Sequence, residues 1–408
     1  MALGKAFRWL RWPMDGHEEV PSAERRAYRT PVAPPTGFSC PPNPVFKNAF
    51  PVNHRKHQVL ITVRLHYRSH KTHETPVSQL GCFMSGDFST TSLRIAWIGF
   101  HQEGIPALRG LRDAGFPLVA VITLDAPSAA KRCATAEYSD VLEGWNVPLY
   151  RVRNINDEQT VQRLSEMNLD LLLVIGWSQI LSSAVLATAR IGAIGAHASL
   201  LPHNRGSAPI NWAIIRGEKT TGNSLIWLAD NVDEGHIIDQ IEFPISPYDT
   251  CETLYQKVAE SNHVMIQRVL PKLLAGERPG VPQPPSDEPL LARRRPTDGL
   301  LDWHQSAVNV YNFVRALTRP YPGAFSFLDG RRWTIQSVAL VPAVSREDQV
   351  AGTVLGSVVS PVAEACGQLV ACGSGCVIVL EIEADDGTVL KGTDLSDCEW
   401  TGKVWAHE

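Results

Sequence analysis

The stretch IGAIGAHASLLPHNRG, residues 191–206, joins an apolar run to a loop rich in turn-forming residues. A short continuous apolar run bounded by turn signals is typical of a strand that is buried on both faces. This strand ends in a histidine, His197, and the residue two positions earlier is a glycine, Gly195. The stretch therefore predicts a polar side chain placed where a buried strand gives way to a loop.

Three further apolar runs precede this one, and helical patterns separate them. The runs cover residues 93–100 (LRIAWIGF), 117–124 (PLVAVITL) and 169–176 (LDLLLVIG). Strands that alternate with helices predict an α/β fold with a doubly wound, mainly parallel, Rossmann-like sheet. Ligands of such sheets bind beyond the carboxyl ends of the strands, which is where His197 stands.

The composition changes on both sides of this region. Residues 1–92 are rich in proline and basic side chains without sustained periodicity, so they predict a poorly structured leader. Either translation begins at Met84 or the leader is a regulatory or targeting arm. Residues 93–283 form the expected catalytic domain, and residues 284–298 form a linker rich in proline and charge.

Residues 299–408 predict a second, smaller domain built mainly from strands. A helical pattern at 303–318 comes first, and short β-like segments follow it. Asp329-Gly330 and Asp386-Gly387 are typical of hairpin turns. The C-terminal domain is therefore expected to be a small β-barrel.

Charge and composition exclude several classes of protein. The chain has 408 residues and a net charge of −4, and residues 1–92 carry twelve basic and six acidic side chains, so the remainder is acidic. An acidic body makes nucleic acid a poor partner, although tRNA stays open. No apolar stretch approaches the length of a membrane span, and no secretory signal is present, so we expect a cytoplasmic protein with reduced cysteines. The spacing of Cys366, Cys372 and Cys376 fits no zinc site, and no metal is predicted.

A carboxylate is expected to accompany His197. The polar segment ADNVDEG (229–235) follows another apolar strand, NSLIW (223–227), and is expected to end near the same sheet edge. Asp233 would then pair with His197, stabilise the imidazolium and fix the ring for general acid–base work on an acyl group. The alternative is that His197 is a hydrogen-bonded core histidine.

The segments HASLLPHNRGSAPINWAIIRGEKTTG (197–222) and DNVDEG (230–235) resemble the formyltransferase family that uses 10-formyltetrahydrofolate. The resemblance covers about residues 93–408 and implies that the C-terminal barrel is OB-like. It implies that His197 is the catalytic histidine and that Asp233 holds it. It also implies a folate site lined by two segments, which comprise Gln179, Ile180, Leu181, Ala229, Asp230, Asn231 and Val232.

One position departs from the pattern of this family. Many family transferases carry asparagine where this chain has Gly195, and that side chain is thought to stabilise the oxyanion. Hydrolase-type relatives lack the asparagine too, so the nature of the acceptor stays open. Arg205 either anchors a substrate anion or braces its loop, and His101 either lines the acceptor pocket or lies at the surface. Trp177 and Trp212 are expected to have packing roles, and the arginines at 293–295 to be a solvated charge run.

The resemblance implies transfer of a formyl group from 10-formyltetrahydrofolate to the amine of a small acceptor, such as a nucleotide-linked amino sugar. Residues 293–408 hold ten basic and fourteen acidic side chains, which disfavours tRNA as the acceptor. Hydrolysis of the same folate and methionyl-tRNA formylation are the alternatives. A folate-binding protein without catalysis has the least support, because both His197 and Asp233 are present.

Overall fold

A seven-stranded sheet organises the first part of the chain in the computed structural model, which describes residues 93–341 and 349–406. The predicted leader, residues 1–92, lies outside the described residues. The strands of the sheet are β1 (Ile95–Ile98), β2 (Leu118–Leu124), β3 (Leu149–Val152), β4 (Leu169–Val174), β5 (Ala189–His197), β6 (Thr220–Trp227) and β7 (Ile237–Pro244). Their order across the sheet is β3-β2-β1-β4-β5-β6-β7. The first five strands are parallel, as predicted, whereas β6 and β7 pair antiparallel.

Helices cover both faces of this sheet, which explains why its central strands are apolar throughout. The helices are α1 (Ile105–Asp113), α2 (Ala126–Ala129), α3 (Tyr138–Leu142), α4 (Glu158–Glu166), α5 (Ser183–Leu186), α6 (Pro209–Ile215) and α7 (Cys251–Leu274). Helices α1 and α7 pack on one face against alternate side chains of β1, such as Trp97. The opposite face buries Ala96 and Ile98 against α4 and α5.

The connections of the sheet reverse direction between β1 and β4. The chain runs outward from β1 through β2 to β3, then returns to β4 on the other side of β1. Such a reversal leaves a crevice beyond the carboxyl ends of the two strands that flank it. His101 follows β1, Gly176 follows β4 and His197 ends β5, so all three lie along this edge.

The direction of β6 contradicts one expectation from the sequence. β6 runs antiparallel to β5, and its residue Trp227 pairs with Ile194 while Ser224 pairs with His197. The carboxyl end of β6 therefore points away from the edge that carries His197. An apolar pattern predicts that a strand is buried but not which way it runs, so the expectation that β6 ends at this edge is wrong.

A second, antiparallel sheet of six strands forms the C-terminal part of the described chain. It follows α8 (Ala307–Leu317) and precedes α9 (Gly392–Ser396). The strands are β8 (Ala324–Leu328), β9 (Arg331–Val341), β10 (Val354–Val358), β11 (Gly367–Ala371), β12 (Cys376–Ala384) and β13 (Val389–Lys391). Both predicted hairpins form: Asp329 and Gly330 join β8 to β9 with positive φ angles of 53° and 72°, and Gly387 turns between β12 and β13.

The two sheets are joined by a shared apolar core. Side chains of α6 and α7, including Ile210 and Leu254, pack in one cluster with Val310 of α8 and Trp333 of β9. The C-terminal part is therefore fixed against the helices that cover the first sheet. This shared core holds α7 where it can reach the crevice.

Two further expectations concern membranes and metals. None of the helices in the described residues combines the length and apolar character needed to cross a membrane. Within residues 93–341 and 349–406, no group of three or more His, Cys, Asp or Glu side chains is arranged to hold a metal ion. Cys366, Cys372 and Cys376 are buried, and burial raises the pKa of the Cys372 thiol to about 12.

Candidate active site

His197 and Asp233 lie side by side at the carboxyl end of β5. The imidazole Nδ1 is 3.5 Å from Asp233 Oδ2, and both side chains are largely buried. The other ring nitrogen, Nε2, lies 2.9 Å from the main-chain oxygen of Asn204. Both ring nitrogens therefore face hydrogen-bond acceptors, and two acceptors suit the doubly protonated imidazolium. A buried histidine with one carboxylate at hand can take up and release a proton.

Asp233 reaches this place through the loop between β6 and β7 rather than through the end of a strand. Its backbone adopts a left-handed φ of 56°, which is uncommon for a residue with a side chain. Oδ2 accepts a hydrogen bond of 2.9 Å from the amide of Gly206, in the loop that follows His197. The side-chain amide of Gln283 donates to the main-chain oxygens of Asp233 and Gly235 at 2.7 and 2.8 Å. The loop is thus held from two sides while its carboxylate faces the imidazole.

Asn204 is fixed as firmly as Asp233. Its φ is also left-handed, at 57°. Its side-chain amide donates to the carboxylate of Glu218 at 3.1 and 3.2 Å, and its side-chain oxygen accepts from Arg216 at 2.8 Å. These contacts point the main-chain oxygen of Asn204 at His197. Sequence reasoning missed this role, because a main-chain carbonyl leaves no signal in residue identity.

Residues of the predicted linker pack directly on the loop after His197. Leu291 pairs with Gly206 in a parallel bridge, and its amide donates to the oxygen of Arg205 at 2.7 Å. His203 Nδ1 contacts Glu288 Oε1 at 2.6 Å, and this hydrogen bond lowers the pKa of Glu288. The segment between the two sheets therefore also braces the site.

Leu228 fills the space where a side chain at position 195 would project. A Cβ added to Gly195 would lie 2.6 Å from Cδ2 of Leu228 and 3.1 Å from its Cγ. Residues two apart on a strand point to the same face, so this space lies on the face that carries His197. The missing side chain is therefore replaced by an apolar group, and no water-sized gap is left at that point.

The two predicted folate segments are adjacent. Ser183, just after the first segment, donates a hydrogen bond of 2.9 Å to Asp230 in the second. The side chain of Gln179 already has two main-chain partners. Its amide oxygen accepts a hydrogen bond from the amide of Ile155 (2.8 Å), and its amide nitrogen donates to the main-chain oxygen of Arg153 (2.9 Å). Gln179 therefore holds the loop in place and leaves its neighbour Ile180 exposed at 71%.

The surroundings of these segments suit a flat heterocycle. Trp177, Leu181 and Leu228 are half-buried and pack on the same apolar cluster. The predicted residues Ala229, Asp230 and Asn231 are exposed, and Val232 is half-buried. Apolar side chains beside accessible loop main chain are what a pteridine ring needs from a protein site.

The remaining candidates have structural partners. Arg205 donates to Glu234 at 2.7 Å and to the oxygen of Ser286 at 3.0 Å, so it braces its loop. The indole of Trp212 donates to the oxygen of Ala292 at 3.1 Å, and the guanidinium of Arg294 lies 5.0 Å from its ring centre. The central arginine of the run at 293–295 therefore packs on a tryptophan instead of being fully solvated.

His101 is buried after the end of β1 and does not lie at the surface, and the sequence did not identify its neighbours. Its ring centre is 5.1 Å from that of Tyr255 on α7, and the hydroxyl of Tyr321 donates to the hydroxyl of Tyr255 at 2.9 Å. Burial, followed by the nearby Glu103 carboxylate, raises the pKa of Tyr255 well above its usual range. Burial likewise raises the pKa of Tyr321, so both phenols stay neutral. Glu103 comes five residues after the parallel strand β1. This position was the feature of the sequence from which the cluster of Glu103, His101 and Tyr255 could have been suspected.

Two family models match this chain. The formyl transferase model matches residues 101–270, and the model of the formyl transferase C-terminal domain matches residues 294–397. Together they cover well over half of the sequence. The chain belongs to the formyl transferase family. The predicted family membership is therefore confirmed, and the matched domains are those of a transferase enzyme.

Solved structures of similar fold include two with folates. HypX from Aquifex aeolicus, in complex with tetrahydrofolic acid, superposes with a TM-score of 0.52 at 15% identity over 74% of this chain. The match covers 46% of HypX, so this chain spans about half the length of that protein. WlaRD, a sugar 3N-formyl transferase studied with dTDP and 5-N-formyl-THF, gives a TM-score of 0.52 at 14% identity. This match covers 73% of the present chain and all of WlaRD. At these identities the similarity concerns the fold.

Proposed function

We propose that this formyl transferase family member transfers a formyl group from 10-formyltetrahydrofolate to the amine of a small acceptor. The observation that carries the proposal is the contact between His197 and Asp233 in a crevice bordered by two loops suited to a folate. Both partners are largely buried, and the crevice lies where an α/β sheet of this topology binds its ligands. Folates appear in the two solved structures of similar fold described above.

The residues present fit the formyl donor. Ile180, Trp177, Leu181 and Leu228 would provide apolar contacts to its ring, and the exposed main chain at 229–232 would provide hydrogen bonds. When bound, 10-formyltetrahydrofolate supplies the activated formyl group. The protein's contribution is then to position that group beside His197 and to manage the proton of the attacking amine.

The hydrogen-bond partners of His197 assign separate roles to its two nitrogens. A carbonyl oxygen can only accept a hydrogen bond. Nε2 therefore stays protonated during the whole reaction and donates its hydrogen to the main-chain oxygen of Asn204. Nδ1 is therefore the nitrogen that takes the proton from the amine and passes it to the departing group. Asp233, at 3.5 Å from Nδ1, stabilises the resulting imidazolium.

A small-molecule acceptor is also supported by the charges of the C-terminal part. Its exposed arginines are neutralised by carboxylates, as in Arg331 with Asp386 (2.8 Å) and Arg319 with Glu381 (2.7 Å). Binding of tRNA depends on basic side chains that are available to phosphates. A nucleotide-linked amino sugar is the acceptor that the sequence suggested, and WlaRD is a sugar transferase of similar fold.

Hydrolysis is the second candidate, because Gly195 replaces the usual asparagine. The packing of Leu228 against Gly195 argues against it, since an apolar side chain occupies the place next to the reacting face. Water at that position would lack space, because the side chain of Leu228 occupies it. Transfer to an amine is therefore the better-supported reaction.

The test is to incubate the full chain with 10-formyltetrahydrofolate and a panel of nucleotide-linked amino sugars, simple amines and Met-tRNA. Mass spectrometry identifies any N-formyl product, and formate is measured in parallel. We expect His197→Ala to lower kcat by about 10²–10⁴-fold and Asp233→Asn by at least about 10²-fold. His236→Ala, which changes an exposed histidine, is the matched control.

Three results would contradict the proposal. Formate release without any formylated amine would favour hydrolysis. A formylated Met-tRNA formed with strongly salt-dependent binding would overturn the small-acceptor assignment. Equal turnover by wild type and His197→Ala would leave only a folate-binding role.

Three finer features belong to the same proposal. The segment 404–406 bridges both edges of the second sheet: Ala406 pairs with Phe327 of β8, and Val404 pairs with Thr353 before β10. This closure supports the OB-like barrel that the sequence predicts. The cytoplasmic location stays a prediction from composition, as do the domain boundaries at 283 and 298.

A further inference from the structure

Glu103 is a largely buried carboxylate that lies beside a histidine. Its side chain is 13% exposed, and its ion-pair contact is with His101 Nδ1 at 3.4 Å. That nitrogen already accepts a hydrogen bond of 3.3 Å from the amide of Glu103, so the neutral imidazole has no hydrogen there to offer the carboxylate. Among residues 93–341 and 349–406, no lysine or arginine is hydrogen-bonded or ion-paired to Glu103. Carboxylates this buried are ordinarily paired.

The fold holds this carboxylate at the crevice. Gly176, at the end of β4, has a φ of +69°, and a Cβ there would lie 2.9 Å from Cβ of His101 and 3.2 Å from Cγ of Glu103. The glycine thus lets both side chains lie across the end of β4, between β1 and β5. Glu103 follows β1 and His197 ends β5, so both lie along the same edge of the sheet, with β4 between their strands.

Aromatic rings surround the same place. Tyr255 lies against His101, and Phe100 makes edge contacts with both His101 (6.2 Å) and Trp177 (5.8 Å). The phenols of Tyr255 and Tyr321 carry no charge, so they add ring faces without adding an anion. Aromatic faces and a carboxylate attract an organic cation and repel a phosphate.

We propose that Glu103, with the rings of His101 and Tyr255, forms a subsite for a positively charged group of the acceptor. The inference rests on the proposed formyl transfer and narrows its acceptor. The acceptor is a compound with a second ammonium group, separated from the reacting amine by a few carbon atoms. The sequence suggested a nucleotide-linked amino sugar as the acceptor. The subsite revises that suggestion, because the negative charges of a nucleotide fit this end of the crevice poorly.

Two probes that differ only at the far end test the subsite. Both 1,5-diaminopentane and 5-aminopentyl phosphate have a primary amine at one end. At the other end the first has a second primary amine, which is an ammonium group at neutral pH, and the second has a phosphate. Binding to the full chain in the presence of tetrahydrofolate is measured by calorimetry, and formyl transfer by product mass. We expect the diamine to bind about tenfold to a hundredfold more tightly, the range for hydrogen bonds to a charged group.

Substitutions assign the preference to one side chain. Glu103→Gln should abolish it and Glu103→Lys should reverse it, while tetrahydrofolate binding and the melting temperature show whether each variant is folded. Glu260→Gln, an exposed carboxylate on α7, is the control and should keep the preference. Equal binding of the two probes to the wild-type chain, or preference for the phosphate, overturns the subsite without any variant.

The outcomes separate the two proposals. Selective binding of the diamine without N-formyl product would support the subsite and contradict formyl transfer. Formylation of both probes with equal efficiency, unaffected by Glu103→Gln, would support transfer and overturn the subsite.

Discussion

The Nε2 atom of His197 lies 2.9 Å from the main-chain oxygen of Asn204. Because a carbonyl oxygen cannot donate, this contact predicts that the neutral ring carries its hydrogen on Nε2 and leaves Nδ1 free to accept a proton. Nitrogen-15 chemical shifts of histidine-labelled protein report the tautomer directly. We expect the neutral ring of His197 to be the Nε2–H form, with exposed His236 as an internal reference. An Nδ1–H tautomer would place the transferable proton on the wrong atom and contradict the proposed roles.

The space beside Gly195 yields a second prediction. Gly195→Asn would drive its Cβ into Leu228, so we expect a loss of about 1–3 kcal/mol in the free energy of unfolding. The double variant Gly195→Asn/Leu228→Ala removes the obstruction and should recover most of that loss. Denaturation by urea measures both. Equal stability of the single and double variants would show that Leu228 does not fill this space.

Leu228→Ala alone tests the exclusion of water. With the apolar side chain shortened, water gains access to the face of His197, so the ratio of formate to formylated product should rise. Leu228→Met, which conserves volume, is the control. An unchanged ratio would mean that another group keeps water out.

Much of the fold could be predicted because its central strands are buried on both faces. Continuous apolar runs such as residues 169–176 indicate parallel strands without knowledge of their neighbours. The direction of β6 could not be obtained this way, since an antiparallel strand with both faces buried has the same apolar pattern. It is decided by tertiary packing, and the order of the sheet had to come from the structure.

The site divides along similar lines. His197 could be found because the end of a parallel strand is a defined place in this fold, and Asp233 was found through its motif although the strand argument for it was wrong. The oxygen of Asn204, the amide of Gln283 and the carboxylate of Glu103 were missed. Their roles arise from main-chain atoms or from contacts across long sequence separations, which residue patterns do not encode.

Gln283 gives a fourth prediction, because its amide holds the loop of Asp233. Gln283→Ala removes the two hydrogen bonds to the main-chain oxygens of Asp233 and Gly235. The loop is then held less firmly, and so is the Asp233 carboxylate that faces His197. Small displacements of catalytic groups are costly, so we expect kcat to fall about 10- to 100-fold with little change in folate binding. Steady-state kinetics and tetrahydrofolate titration check this. Gln162→Ala, which removes an exposed glutamine from α4, should have no effect; a matching loss there would remove the special role of Gln283.

Asp249 gives the fifth prediction, which concerns the contact between α7 and the C-terminal part. Its carboxylate is buried and accepts hydrogen bonds from Lys257 (2.8 Å) and the amide of Ser246 (2.6 Å), while its main-chain oxygen accepts from Arg315 of α8 (2.6 Å). Burial alone would raise the pKa of Asp249, but the hydrogen bonds from Lys257, Ser246 and Thr253 outweigh it. They lower this pKa below its ordinary value of 3.8.

A carboxyl group whose pKa is lower in the folded state stabilises the protein above its unfolded pKa and loses that effect as the pH falls through the folded one. Asp249→Asn should therefore cost about 2–3 kcal/mol at neutral pH, and the difference from wild type should shrink below pH 3.8. Urea denaturation across this range measures the difference. Glu252→Gln, an exposed change in the first turn of α7, should cost less than about 1 kcal/mol. A difference for Asp249→Asn that grows on acidification would reverse the sign and refute the assignment of a lowered pKa.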